Sequence, residues 1–291
     1  MNKEFRLLNI ISNNLSNPIY LGDDCAYLDE YQIAISSDSL IENVHFSLHF
    51  MTPEEIAKKA LLVNISDILA SGAKPKYLTI NLSGDLDENF INNFYKGVNS
   101  IEKEYDIKII GGDLTKSEKL MIAITALGEY KNRKISSRKN AKPNYIVATA
   151  GEFGSSAQGL EDLNNGISDN YYINYHKTPK LFPEISSKIS KTCKKPYAMM
   201  DSSDGLIDCL YQISTKSNVG ININYSKIPH KTPCKDYVLY GGEDYSLVVC
   251  LNEDDFNEIE GLTKIGTCFK GSGVFIDNQK INYKAYEHFE S

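Results

Sequence analysis

Nowhere in the 291 residues is there an uninterrupted apolar run of about 18 residues, the length a helix needs to cross a bilayer. The opening stretch MNKEFRLLNIISNN is too polar, and its apolar part too short, to read as a secretory signal, so a cytoplasmic protein is expected, with no membrane partner. An excess of basic charge is also missing: 31 Lys and Arg stand against 38 Asp and Glu, a net charge of -7. That balance argues against a nucleic-acid surface, which needs a basic stripe to neutralise phosphates. If the chain handles phosphates, cations must help it. The six cysteines (Cys25, Cys193, Cys209, Cys234, Cys250, Cys268) form no C-x-x-C pair and have no histidine at metal-ligand spacing. A zinc site is therefore disfavoured and reduced thiols are expected, with Cys25 read as a small buried hydrophobe. Finally, AGEFGSSAQGL (150–160) lacks the lysine of a P-loop and reads as a tight turn feeding a helix, and no protein-kinase signature set is found.

What is present is ordinary globular material, 42% hydrophobic and 24% charged, in a length that favours two domains. Strand-like and helix-like segments alternate, which predicts an α/β or α+β layering. Strands are expected at 31–35, 77–82, 107–110, 121–128, 145–150, 197–200, 221–225 and 245–251, with helices over 88–104 and 205–216. The stretch from Thr52 to Ser71 predicts a helix with Thr52 as N-cap, Pro53 at the first helical position, Glu55 closing a capping box and Gly72 as the stop. The basic run Lys131 to Lys142, closed by Pro143, reads as a linker between domains 1–135 and 136–291.

Five short stretches share one character, an apolar segment that delivers aspartates into a small-residue turn: GDDCA (22–26), SSDS (36–39), NISD (64–67), GGD (111–113) and DSSDGL (201–206). Asp67 is the oddest of these. No Lys or Arg lies between Ala60 and Ala73, and Leu61, Leu62, Val63, Ile65, Ile68 and Leu69 make the helix apolar nearly all round. A buried ionised carboxylate there costs several kcal/mol unless a cation compensates it. Asp113 and Asp201 repeat the puzzle, each following a hydrophobic strand with no adjacent base. Aspartates and serines with few imidazoles or thiols make a hard-oxygen environment that suits Mg²⁺. For any single aspartate an Asx-turn or helix cap is the plain alternative, with Ser203 and Asp204 as N-cap candidates. Glu243 and Asp244 in GGEDYS can be read as solvated acids, and His45 as an ordinary core or surface histidine.

Taken in order, GDDCA, SSDSLIENVHF, KALLVNISDILASGAKP, IIGGDLT, AMMDSSDGL and GGEDYSL resemble the thiamine-monophosphate kinase family of the aminoimidazole-ribonucleotide-synthetase-like superfamily, over residues about 20 to 290. The resemblance implies a homodimer of two-domain chains, in which N-terminal strands of both subunits form a β-barrel with ATP bound beside it, followed by a C-terminal α/β domain. It implies Mg²⁺ and ATP as cofactor and co-substrate, thiamine monophosphate as acceptor and thiamine diphosphate as product. By the same resemblance, Asp24, Ser36, Ser37, Asp38, Asp67, Asp113, Asp201 and Asp204 match metal ligands. Ser36, Tyr95, Gly112, Asp113, Arg138 and Ser203 match positions at the nucleotide, while His45, Glu243 and Tyr286 match positions that hold the acceptor. The chain departs from the family pattern at Asn144-Tyr145, at Lys139-Asn140 after Arg138, at Ser202, and in a shortened, asparagine-rich 160–195. An acceptor phosphate is already ionised near neutral pH, its second pKa being about 6, so direct transfer without a general base or phosphoenzyme is expected. Two other readings compete: another ATP-using activity of the superfamily, and a nucleotide or thiamine-phosphate sensor without turnover.

Overall fold

Two sheets and their covering helices account for residues 3–284, the part of the chain that this computed structural model describes. In chain order the first half contains α1 (Lys3–Asn14), β1 (Ala26–Leu28), β2 (Ile33–Ile41), α2 (Pro53–Ala70), β3 (Lys74–Ser83), α3 (Glu88–Tyr105), β4 (Lys108–Thr115) and β5 (Met121–Glu129). Its strands lie in the order β1-β2-β5-β3-β4, antiparallel except for the β3/β4 pair. The sheet is open, with β1 and β4 at its edges, and does not close into a barrel within one chain.

The second half contains β6 (Ile146–Ala150), α4 (Ser155–Asn164), α5 (Tyr171–Lys177), α6 (Pro183–Thr192), β7 (Ala198–Asp201), α7 (Leu206–Ser217) and β8 (Gly220–Ile223). It continues with α8 (Lys235–Tyr240), β9 (Leu247–Leu251), α9 (Glu253–Asn257), β10 (Thr263–Phe269), β11 (Gly273–Ile276) and β12 (Gln279–Lys280). The seven strands run in the order β12-β11-β8-β10-β6-β9-β7. Strands β6, β7 and β9 are buried along their whole length, which is why they read in the sequence as continuous apolar runs.

Helix α2 holds the two halves together. Its N-terminus forms as the local chemistry dictates: the Thr52 hydroxyl accepts from the Glu55 N–H, and the Glu55 carboxylate accepts from the Thr52 N–H at 2.7 Å. Glycine at 72 sits at a φ of +86° against the Tyr197 hydroxyl, where a side chain would clash. Between these ends the helix is buried on nearly every side, because β2, β3 and β5 pack on one flank and β7, α5 and α6 on the other. A helix between two layers has no solvent face to make polar, which accounts for its all-round apolar sequence.

Two expectations are corrected by this packing. The segment 131–142, expected as a linker, is pinned along the junction: Ser136 and Ser137 are buried, the Ser136 N–H donates to Ser71 O, and its hydroxyl donates to Ala70 O. Asp113, expected to be stranded beside buried residues, is exposed, because β4 is an edge strand open on both faces.

Candidate active site

Four of the aspartates converge where α2 passes between the sheets. Asp38 comes from the middle of β2, Asp67 from the last turn of α2, Asp201 from the end of β7, and Asp24 from the turn before β1. One carboxylate oxygen each of Asp24, Asp67 and Asp201 lie within 4.8 Å of one another. Serine hydroxyls complete the lining: Ser36 donates to Asp67, and Ser66 donates to Asp201 at 2.5 Å. The NISD wording places Ser66 and Asp67 side by side on the helix, so that one element supplies both a carboxylate and a donor to a second carboxylate.

Crowding and burial make these acids reluctant to ionise. Burial pushes the Asp67 carboxyl well above its ordinary range, and the charges of Asp201, Asp38 and Asp24 push it further. Asp201 rises to about 7, first through burial and then through Asp24, with the Ser66 hydroxyl opposing. Asp38 is raised by burial, against its hydrogen bond with Asp67. Asp24 is raised as well, burial outweighing the Arg138 guanidinium that sits 2.7 Å away. Among the described residues Arg138 is the cation that touches this group. With the Arg138 guanidinium at Asp24 and only His45 acting on Asp38, four acids still leave a deficit that a hard divalent cation would fill, and an all-oxygen donor set suits Mg²⁺.

Arg138 is itself built in. Its N–H donates to Asp23 at 2.7 Å, the Ser137 hydroxyl donates to the same carboxylate at 2.8 Å, and a guanidinium N–H donates to Gln212. Gln212 and Tyr283 both donate to Asp208, on α7. Of three buried polar atoms without a hydrogen-bond partner among the described residues, Arg138 Nε and Ser202 Oγ belong to residues at or next to this group, and the third is Thr149 Oγ1 on β6. Buried polar groups are normally paired, so this corner is suited to a polar ligand.

The remaining residues expected at a site are distributed more widely. Ser37 is exposed on β2 and donates to Ile124 O at 3.0 Å. Gly112 and Asp113 lie on the outer edge strand β4, where Asp113 accepts from Thr115, and Tyr95 is 40% exposed on α3. None of these four joins the carboxylate cluster within this chain. Ser203 and Asp204 do not cap α7, whose N-cap is Gly205 without a side-chain hydrogen bond; the Ser203 hydroxyl instead donates to Asp204. Tyr286 lies outside the described residues. The glycine-containing turn 150–160 does feed a helix, α4, whose first N–H groups are already taken: Gly154 and Ser156 both donate to Asp244. Asp244 is thus a buried helix cap and not a solvated acid.

His45 and Glu243 meet through a residue that the sequence reading passed over. Lys59 on α2 is completely buried, and its ammonium donates to His45 O at 2.9 Å and to the Glu243 carboxylate at 3.1 Å. Burial alone would raise the Glu243 carboxyl, but Lys59 and then His176 hold it below its ordinary value. Burial and Lys59 push His176 down to about 4, so its ring is neutral. Since the ammonium has only donors to offer, the His176 Nε2 that faces it is the accepting nitrogen, and Nδ1 carries the proton toward Ser156. The one available signal for Lys59 was its place: a lysine directly followed by Ala60, Leu61, Leu62 and Val63 is already inside the buried part of the helix.

Comparison with known proteins places the chain among named relatives. Residues 22–130 match the family described as AIR synthase related protein, N-terminal domain. The chain is 34% identical to a thiamine-monophosphate kinase of Bacillus subtilis (strain 168), covering 99% of each chain. It is 32% identical to a thiamine-monophosphate kinase of Aquifex aeolicus (strain VF5), covering 98% of each. Among solved structures it is similar to AaThiL complexed with AMPPCP and TMP, with a TM-score of 0.90, 31% identity and coverage of 98% and 97% of the two chains. Hydrogenase maturation protein HypE shares the fold at 18% identity with a TM-score of 0.72.

Proposed function

The chain belongs to the thiamine-monophosphate kinase family, and from that membership we infer that it uses ATP to phosphorylate thiamine monophosphate, giving thiamine diphosphate. The observation that carries the chemistry is the convergence of Asp24, Asp38, Asp67 and Asp201, with Arg138 paired to Asp24 and His45 acting on Asp38. Two polyanions must approach each other in an acidic protein, and unassisted carboxylates would repel them both. On this reading Asp24, Asp38, Asp67 and Asp201, with Ser36, hold Mg²⁺, while Ser37, Asp113 and Asp204 extend the ligand set once the nucleotide is bound. Bound divalent ions supply charge neutralisation and polarisation of phosphate oxygens.

The protein's own part is placement. Arg138 and Ser203 orient the donor phosphates, Gly112 allows backbone to approach them, and Tyr95 flanks the nucleotide. His45 and Glu243, with Tyr286, position the acceptor. Its phosphate is already largely ionised at neutral pH, its second pKa being about 6, so transfer needs no side chain to remove a proton. Direct in-line transfer then requires only that the two phosphates be aligned.

Residues 1–135 and 136–291 act as two domains joined along α2. The family's homodimer, with a barrel spanning both subunits, has support in β4: it is an open edge strand carrying exposed Ile110 and Leu114, 56% and 63% accessible. No helix among the described residues is long and apolar enough to cross a membrane, and consumption of ATP fits a cytoplasmic reaction.

Incubation with ATP, Mg²⁺ and thiamine monophosphate tests the reading. ADP formed in equal amount to thiamine diphosphate is the expected result. Tight binding of both ligands without product would make the chain a sensor, and ADP release without thiamine diphosphate would point to a different acceptor. A radiolabelled protein band after mixing with γ-labelled ATP would overturn direct transfer.

A further inference from the structure

Lys59 is the largest charged side chain in the molecule's interior, with none of its surface exposed, and the chemistry proposed above gives it no task. A buried ammonium is tolerated only when paired and hydrogen-bonded, and the identity of its partners is informative. It donates to the backbone carbonyl of His45, in the loop after β2, at 2.9 Å. It also donates to Glu243, in the loop before β9, at 3.1 Å, and faces His176 Nε2 at 3.5 Å. Two loops from opposite halves of the chain therefore converge on one cation carried by the helix between them. The backbone of the Glu243 loop is held independently of Lys59, by Asp244 accepting from Gly154 and Ser156 and by the Tyr245 N–H donating to Ser202 O, so what Lys59 sets is the direction of the Glu243 carboxylate. Glu243 has a φ of +62° and Tyr245 of +52°, both in the left-handed region that non-glycine residues avoid. The Glu243 N–H is tied to Ser203 O at 2.7 Å, and its carboxylate is oriented by Lys59 at 3.1 Å and by His176 Nδ1 at 3.5 Å, which meet at the same oxygen.

Lys59 and Asp67 are eight residues apart on α2, about 12 Å along the helix axis at 1.5 Å per residue. Such a span separates a cation-binding end of the helix from an end that faces a second ligand. We propose that Lys59 is a positioning residue for the acceptor: by clamping His45 and Glu243 to the rigid helix that also carries Asp67, it sets the distance between the acceptor pocket and the phosphate-transfer site. His176, kept neutral and locked to Ser156 at 2.9 Å, backs the clamp from α5. The proposal rests on the reading that His45 and Glu243 hold the acceptor.

Steady-state kinetics of the full-length protein separate the possibilities. Lys59→Met is expected to raise KM for thiamine monophosphate about tenfold or more while changing KM for ATP less than about twofold, since only one ligand's pocket loses its anchor. Lys59→Arg, which keeps the charge but spreads it over a planar fork, should recover part of that loss. In a Glu243→Gln background, Lys59→Met should raise the acceptor KM by a smaller factor than in the native protein, because part of its effect runs through Glu243 and the rest through His45. If Lys59→Met does not fold, Lys59→Arg carries the test, with an acceptor KM raised severalfold and an unchanged KM for ATP. A loss confined to thermal stability, or equal effects on both KM values, would overturn the proposal. Should Glu243→Gln leave the acceptor KM untouched, the pocket assignment fails and the proposal with it. Should Glu243→Gln raise that KM while neither Lys59 variant does, the pocket stands and the proposal alone falls.

Discussion

At Asp67 two demands on one side chain oppose each other. The fold places it in the last turn of a buried helix beside three other acids, which destabilises its ionised form, while the proposed reaction needs it ionised. Replacing it with asparagine keeps the shape and removes the charge. Asp67→Asn is expected to lower turnover more than about 100-fold while raising the melting temperature of the metal-free protein, as followed by calorimetry. Near-native activity would show the acid to be structural. Asp201 provides the pH-dependent counterpart. Its folded pKa of about 7 lies above the ordinary 3.8, so the folded state binds the proton more tightly than the unfolded chain does. That proton stabilises the fold below about pH 4, and the contribution is lost as pH rises through 7. Against Asp201→Asn, which cannot titrate, the metal-free native protein should therefore lose relative stability from about pH 4 to pH 7, and Mg²⁺ should restore it most strongly at the upper end. A difference between the two proteins that does not vary with pH would refute this account.

Helix α2 shows what an element contributes beyond its residues. Its start is a local device, and Thr52→Ala should cost about 1 kcal/mol in urea unfolding without affecting turnover, because the capping box is far from the carboxylates. Its interior depends on both halves of the chain. Ile65 is fully buried, and Ile65→Ala should cost about 2–5 kcal/mol. That change should also weaken activity, since the next two residues, Ser66 and Asp67, line the site. Loss of stability with unaltered kcat would mean that the site tolerates movement of the helix. The segment 131–142 makes the complementary point: its composition resembles that of a linker, yet packing against Ser71 and Ala70 makes it a wall that presents Arg138 to Asp24.

For the molecule as a whole, the open edge of the first sheet is the feature one chain leaves unfinished. Strand β4 carries Gly112 and Asp113 together with exposed Ile110 and Leu114, so the residues matched to the nucleotide sit where a second subunit would close the sheet. Ile110→Lys combined with Leu114→Lys is expected to yield monomer in analytical ultracentrifugation and to weaken ATP binding together with it. A monomeric native protein with full activity would remove the need for a partner.

The sequence by itself determined the parts with local causes. The capping box, the glycine stop and the largely apolar run between them were enough for α2; alternation and apolar runs were enough to place the strands from β2 to β9, though not the continuation of β2 and β4 through Asp38 and Asp113; and the repeated Asp-in-small-turn wording marked Asp24, Asp38, Asp67, Asp113 and Asp201, of which Asp113 stays outside the cluster. The tertiary structure decided which acids meet and what pairs with them, because contacts between residues 24, 67, 138 and 201 depend on how two sheets pack around one helix, and no spacing along the chain records it. Lys59 remained hidden for the same reason. Its partners are 14, 117 and 184 residues away, and its place directly before the apolar residues of the helix shows in sequence that it borders the core, not which groups it meets there.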